Sequence, residues 1–428
     1  MKKRAVILLG AGAAKAWEAT LTPQITQLIL ADNLFQTRAH QGLAEYLRDQ
    51  LINFHQCPPE EINFETIINT LENLIDYFRM KAYDNSNPNE TSSISYWLDT
   101  NAHVDEMMNF RFDPNGYTGG NGTVINLVNN NPTINVHPRL AEAAYLSEAI
   151  KHYMLLIKNE VAKYCEGSKD PKFNGVHAKL KDFILYLVAN NYSPRFYTTN
   201  YDWLLPKIFS GDPLINFFDG TEDQIQIDPF PQYSFATQKI FNDRDCLSYY
   251  NLHGSIYWTV ARNFLNGKER FVCQPDVANI YSYDTLRTMT NPGTDTIIYN
   301  IVTGYNKLQR ISVEPLNAFH SSFALDCNNA DIIITVGYSF SDYHLNRSIN
   351  DGIRCNDSRL LHITYCSTDY LQTKEYHKIE YDILEFKNDF HPATLNGAWV
   401  NSKNNFQMVY KEGFEKYLMA EEWKNSHF

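Results

Sequence analysis

Residues Met1–Thr20 read MKKRAVILLGAGAAKAWEAT. Three basic residues precede ten apolar or small ones, Ala5 to Ala14. One reading is a secretory signal peptide, with a charged start, a short apolar core and an Ala-Gly-Ala cleavage-like sequence. The other is a first β-strand, AVILL (Ala5–Leu9), entering a glycine turn suited to a phosphate. A continuous apolar run of this length fits a parallel strand covered on both faces.

Composition favours the strand. The seven cysteines (Cys57, Cys165, Cys246, Cys273, Cys327, Cys355 and Cys366) are scattered and never spaced Cys-x-x-Cys. That pattern supports neither a disulfide framework nor a zinc ribbon, and it suits a reducing, cytoplasmic compartment. Gly10 and Gly12 would weaken the helical core of a signal peptide. A formal net charge of -12 argues against a direct grip on nucleic acid, which needs clustered Lys and Arg. No apolar run approaches the roughly 18 residues of a membrane span.

Beyond the glycine turn, LTPQITQLIL predicts a helix with Thr22 as its cap and Pro23 at its first position. QGLAEYLRDQLINF, FETIINTLENLIDYF and HPRLAEAAYLSEAIKHYMLLIKNEVAKY carry apolar residues at three- and four-residue spacing, as helices do. YDNSNPNETSSIS and DPNGYTGGNGTV between them read as polar surface loops. Strand signals return at RFYTT (Arg195–Thr199), SYYNLHGSIYW, DIIITVG (Asp331–Gly337) and LLHITYC, with helices between them. The alternation predicts an α/β fold: a Rossmann-like open parallel sheet with a large, mostly helical insertion. Residues 1–31 and 176–428 are expected to form the sheet domain and 32–175 the insertion.

Four stretches carry candidate chemistry. GAGAA (Gly10–Ala14) joins a buried strand to a helix, where small residues and free N–H groups attract a pyrophosphate; a tight turn with no ligand is the alternative. TTNYD (Thr198–Asp202) puts a carboxamide and a carboxylate at a strand's carboxyl end, facing the usual ligand crevice of such sheets. Asn200 or Asp202 as a plain helix cap is the alternative. LHGS (Leu252–Ser255) sets His253 before a glycine turn, where an ordinary core histidine is equally open. In VGYSFSD (Val336–Asp342), Gly337 and Ser339 suit ribose or phosphate, and Ser341 suits a helix cap.

In this order the stretches resemble the sirtuin family: Gly-Ala-Gly, Thr-x-Asn-x-Asp, His-Gly, Val-Gly-x-Ser. NFETIINTLENL (Asn63–Leu74) and VGYSFSDYHLN are similar to the bacterial antiviral branch of that family. The resemblance implies NAD as ligand. It assigns His253 as general base near the nicotinamide ribose, Asn200 to orient ribose or water, and Asp202 to shape the nicotinamide side. Gly10, Ala11, Gly12 and Ala13 match the pyrophosphate loop, and Thr199, Gly337 and Ser339 complete the expected binding set. The zinc-ribbon cysteines and the Gly-Ile-Pro-x-Phe-Arg segment of the deacylating members are missing here. Water is therefore the expected acceptor, and the expected activity is an NAD hydrolase that yields nicotinamide and ADP-ribose without a metal. The resemblance further implies a homo-oligomer and a separately encoded partner: a HerA-type ATPase, a short Argonaute or a nucleotide sensor. A non-catalytic NAD or ADP-ribose binding module, and a deacylase or ADP-ribosyltransferase, are the competing readings.

Overall fold

AVILL forms a strand because every one of its side chains finds cover: Ala5 to Leu9 are at most 5% exposed. The computed structural model describes residues 2–37, 40–83, 138–227, 230–243, 245–262, 269–274, 285–291, 294–303, 307–366, 373–379, 392–396, 398–402 and 407–424. Two compact units separate: Met1–Leu21, Asn159–Val302 and Lys307–Phe428 form one, and Thr22–Lys158 with Thr303–Asn306 the other.

The smaller unit is helical. It holds α1 (Thr22–Leu30), α2 (Leu43–His55), α3 (Phe64–Tyr83) and most of α4 (Pro138–Gly167). Ile67, Ile68 and Leu71 on α3, and Leu146, Ile150 and Tyr153 on α4, are fully buried at helical spacing. Thr26 Oγ1 accepts the Phe64 N–H at 3.0 Å, tying α1 to the start of α3. The bond explains why the unit begins at Thr22, before the expected boundary. The end of α4 from Asn159 to Gly167 belongs to the other unit, so the division falls at Lys158, whereas the sequence suggested residue 175. The loop expectations for residues 84–95 and 113–124 lie outside the described residues.

The larger unit is built on strands. In chain order they are β1 (Lys3–Leu9), β2 (Tyr192–Thr198), β3 (Thr221–Ile227), β4 (Phe230–Phe235), β5 (Ser248–Asn251), β6 (Trp258–Arg262) and β7 (Glu269–Cys273). Then come β8 (Thr285–Asn291), β9 (Thr294–Tyr299), β10 (Ile332–Val336), β11 (Arg359–Ile363), β12 (Pro392–Asn396), β13 (Trp399–Ser402) and β14 (Gln407–Tyr410). Eight form one sheet, ordered β12-β13-β14-β11-β10-β1-β2-β5. From β14 to β5 every neighbouring pair is parallel, and β13 and β12 extend the edge antiparallel. The fold is thus the mostly parallel α/β sheet that the strand–helix alternation predicts. The antiparallel edge, the second sheet β3-β4-β7-β6 and the β8–β9 hairpin are additions that the alternation does not announce.

The helices of this unit are α5 (Asn174–Ala189), α6 (Leu204–Ile208), α7 (Thr237–Asn242), α8 (Lys307–Arg310), α9 (Leu316–Cys327), α10 (Tyr343–Asn356), α11 (Lys374–Lys378) and α12 (Phe414–Met419). The chain lays β1, β2 and β5 in one direction, then returns to place β10 on the other flank of β1. Such a reversal is where open α/β sheets bind ligands, beyond the carboxyl ends of the strands.

Between α9 and strands β1 and β2 sits a buried ion group. Asp326 on α9 bonds Arg195 Nε and Arg4 Nη1, each at 2.6 Å, and the Arg195 and Asp326 side chains are fully buried. Tyr197 also donates to Asp326, and Ser322 Oγ accepts from Arg195 Nη2 at 3.0 Å. Burial opposes the Arg195 charge, but Tyr197 and Asp326 outweigh it and keep the guanidinium ionised. Removing one partner strands the other charges away from water. Asp326→Asn is expected to cost about 3–5 kcal/mol. Urea unfolding checks this, and a loss under about 1 kcal/mol would contradict it.

Candidate functional site

β1 and β10 end in turns that meet backbone to backbone. Gly10 N–H donates to Val336 O at 2.8 Å, and Gly12 N–H to Gly337 O at 3.1 Å. A Cβ on Gly10 would stand 2.5 Å from the Gly337 oxygen, and one on Gly12 2.8 Å from the Gly337 Cα. Gly337 itself has φ 56°, a left-handed conformation that suits glycine. The glycines are therefore required by loop-on-loop packing. Those two N–H groups are already taken, so any anion here would have to use the start of the 3-10 helix Ala11–Trp17 instead. Ala11 is exposed; Ala13 is buried and donates its N–H to Gly10 O at 3.0 Å.

β2 ends one strand away. Thr199 N–H donates to Leu9 O at 2.9 Å, and Asn200 Nδ2 donates to Gly10 O at 3.2 Å. The expected strand Arg195–Thr199 begins earlier, at Tyr192, and stops at Thr198. Asp202 lies behind Asn200 and is fully buried. Its oxygens accept from Tyr164 Oη at 2.7 Å, Tyr249 Oη at 2.5 Å and Leu204 N–H at 3.1 Å. The Leu204 bond closes a turn at the entry to α6, whose cap position is Trp203 and not Asn200 or Asp202. Burial pushes its carboxyl up, while Tyr249, Tyr164, Leu204 N–H and Asn200 pull it back. So enclosed, the Asp202 carboxylate faces its protein donors, the Asn200 side chain among them. Leu9, Ala13, Ala14, Trp17, Asn200 and Asp202 are among the residues lining a narrow, mostly apolar crevice beneath the turn.

β5 ends at Asn251, two residues before His253. Asn251 Nδ2 holds the neighbouring turn through Asn200 O at 3.1 Å and Asp202 O at 2.6 Å. The His253 side chain is 3% exposed, and its Nε2 is buried with no hydrogen-bond partner among the described residues, 3.7 Å from Asp342 Oδ1. Gly254 follows at φ 76°, turning the chain so that Ser255 N–H reaches Asn300 O at 2.9 Å.

The β10 turn leads to α10, whose cap position is Asp342 and not Ser341. The Asp342 carboxylate makes no capping bond; it accepts from Lys307 Nζ at 2.8 Å. Ser339 is exposed and shares a 3.0 Å hydrogen bond with Ser341. Two further histidines complete a cluster. The His344 ring lies 6.3 Å from that of His253 and 5.2 Å from that of His320. His320 Nε2 donates to Leu252 O at 2.7 Å. Burial, then Lys307, drives His253 well below the ordinary imidazole value, with Asp342 opposing. Burial brings His320 to about 4. Although burial pushes Asp342 up, His253 and Lys307 hold its carboxyl far below the usual range.

The structure thus brings Gly10, Gly12, Thr199, Asn200, His253 and Gly337 to the carboxyl ends of four adjacent parallel strands, β10, β1, β2 and β5. Asp342 and His344 stood within or beside a quoted motif; Lys307, His320, Tyr164 and Tyr249 carried no sequence signal. Among the described residues no group of His, Cys, Asp and Glu has metal-binding geometry, no disulfide forms, and no helix is long and apolar enough to cross a membrane. Comparison with models of known protein families finds no match, and comparison with curated proteins finds none either.

Two expectations follow. Gly337→Ala forces a methyl group into the Gly12 backbone and should cost about 1–3 kcal/mol in chemical unfolding; an unchanged midpoint would show that the loops part easily. In an NMR titration, the His253 ring, identified by its loss in His253→Gln, should stay neutral below the ordinary value of 6.5. Asp342→Asn removes the carboxylate that favours the charged ring, so the midpoint should fall further. A midpoint at or above 6.5 would contradict this electrostatic picture.

Proposed function

We propose that the chain is a sirtuin-like NAD hydrolase that cleaves the bond between nicotinamide and ribose, releasing nicotinamide and ADP-ribose. The observation that carries this reading is the convergence of Asn200 and His253, from adjacent parallel strands, beside the Gly10 turn. The order of the motifs along the chain supports it too. NAD is substrate here and not a resident cofactor.

Positive charge develops on the sugar as the carbon–nitrogen bond breaks, and its electron pair leaves with nicotinamide. A water oxygen bonds to the same carbon and gives up a proton. Asn200 orients that water or the ribose, its amide fixed by Gly10 O at 3.2 Å. His253, neutral and with Nε2 unpartnered, fits a base that accepts a proton from a sugar hydroxyl. Backbone dipoles around the strand ends oppose the developing charge.

The same reading makes the chain a cytoplasmic, NAD-depleting effector of a bacterial antiviral system. Unrestrained cleavage would drain the host, so activity is coupled to self-assembly and to a separately encoded partner that senses infection. A HerA-type ATPase, a short Argonaute or a nucleotide sensor would fill that role. One observation favours a second reading: the Asn200 amide already has protein partners in Gly10 and Asp202. A module that binds NAD or ADP-ribose without turnover would keep such a site.

Chromatography of NAD incubated with the protein, alone and with the products of neighbouring genes, separates the two. The wild type should release nicotinamide, and Asn200→Ala and His253→Ala should each lose roughly 100-fold or more while keeping their fold. Full activity in either variant removes that residue from the mechanism. NAD binding with no release in any mixture makes the chain a binding module.

A further inference from the structure

The end of α4, Asn159–Gly167, is tied into the sheet unit at specific points. Thr20 Oγ1 donates to Glu160 Oε2 at 2.9 Å, and Lys207 pairs with Glu166. Cys165 is buried, with a side-chain hydrogen bond to Tyr257. Between these anchors Tyr164 points its hydroxyl at Asp202 Oδ2, 2.7 Å away. Asp202 in turn accepts from the Asn200 side chain, whose Nδ2 also reaches Gly10 O. The backbone of this turn is held separately, by Asn251 from β5. Backbone and side chain of Asn200 are therefore set by different elements.

We propose that Tyr164 is a positioning residue for Asn200, fixing the Asp202 carboxylate so that the carboxylate fixes the amide over the Gly10 turn. The inference rests on the cleavage reading above, but its geometry stands apart from it. A fully buried carboxylate is held in one orientation only while its donors are in place. Tyr164 supplies one, Tyr249 and Leu204 N–H supply others, and the Asn200 amide takes its place among them. The titratable groups facing Asp202 are Tyr164 and Cys165 on α4, Tyr249 on β5, and Tyr257. Burial pushes all of them up, so each stays neutral across the working pH range.

The test compares the full-length wild type with Tyr164→Phe, with the exposed Lys163→Gln as a control on the same helix. Tyr164→Phe should fold, with kcat lowered about tenfold, the size of one hydrogen bond to a charged group, and KM for NAD little changed. Losing a donor raises the Asp202 pKa further, so the acid limb of kcat should move to higher pH, while Lys163→Gln stays as wild type. Equal kcat and an unmoved acid limb in folded Tyr164→Phe would overturn the inference. If the wild type cleaves no NAD, the cleavage reading fails, and infrared titration of the Asp202 carboxyl decides instead. The band is assigned by difference against Asp202→Asn. A midpoint raised in Tyr164→Phe supports positioning, and an unmoved midpoint refutes it.

Discussion

The site depends on one close approach. Gly12 and Gly337 bring the turns after β1 and β10 into backbone contact, with Gly12 N–H on Gly337 O at 3.1 Å. No side chain fits between them. The contact closes the sheet's reversal point on itself. The neighbouring turns carry Asn200, half-buried, and His253, buried. The parallel register extends this outward: Leu9 stands opposite Thr198, and Thr198 opposite Asn251. Strand ends in step put the residues that follow them at one height, whatever their distance in sequence.

Two buried charge systems flank that edge, and they differ in kind. Asp326 on α9 is saturated by Arg4, Arg195 and Tyr197, and its work is structural. Beyond the end of β5, His253 keeps a nitrogen unpartnered among the described residues, and Asp342 answers to Lys307. A neutral, desolvated imidazole beside a strongly ionised carboxylate marks this end as the candidate site. Asp202 stands between these extremes, enclosed like Asp326 but coupled to Asn200.

Much of this was legible in the sequence. β1 carries the apolar run Ala5–Leu9 and β10 the run Ile332–Ile334, and such runs fit the middle of a parallel sheet. The motif residues could be found because each directly follows a strand. Tyr164 could not: it lies 38 residues before Asp202, on a helix whose spacing marks it only as core. Lys307 and His320 meet Asp342 and His344 purely through the fold. The antiparallel sheet from Thr221 to Cys273 escaped because TEDQIQI reads as a polar segment. Gly10 and Gly12 carry a second demand. Their spacing suggested a phosphate cradle, and the structure adds a backbone contact with Gly337 that leaves no room for a side chain.

The central claim is that this strand edge cleaves NAD at the nicotinamide–ribose bond with water. Incubation in heavy-oxygen water, read by mass spectrometry, tests it most directly. The account predicts nicotinamide and ADP-ribose in equal amounts, with the heavy atom on the sugar carbon that lost nicotinamide. NAD recovered intact, or label appearing on a phosphate instead, would contradict it.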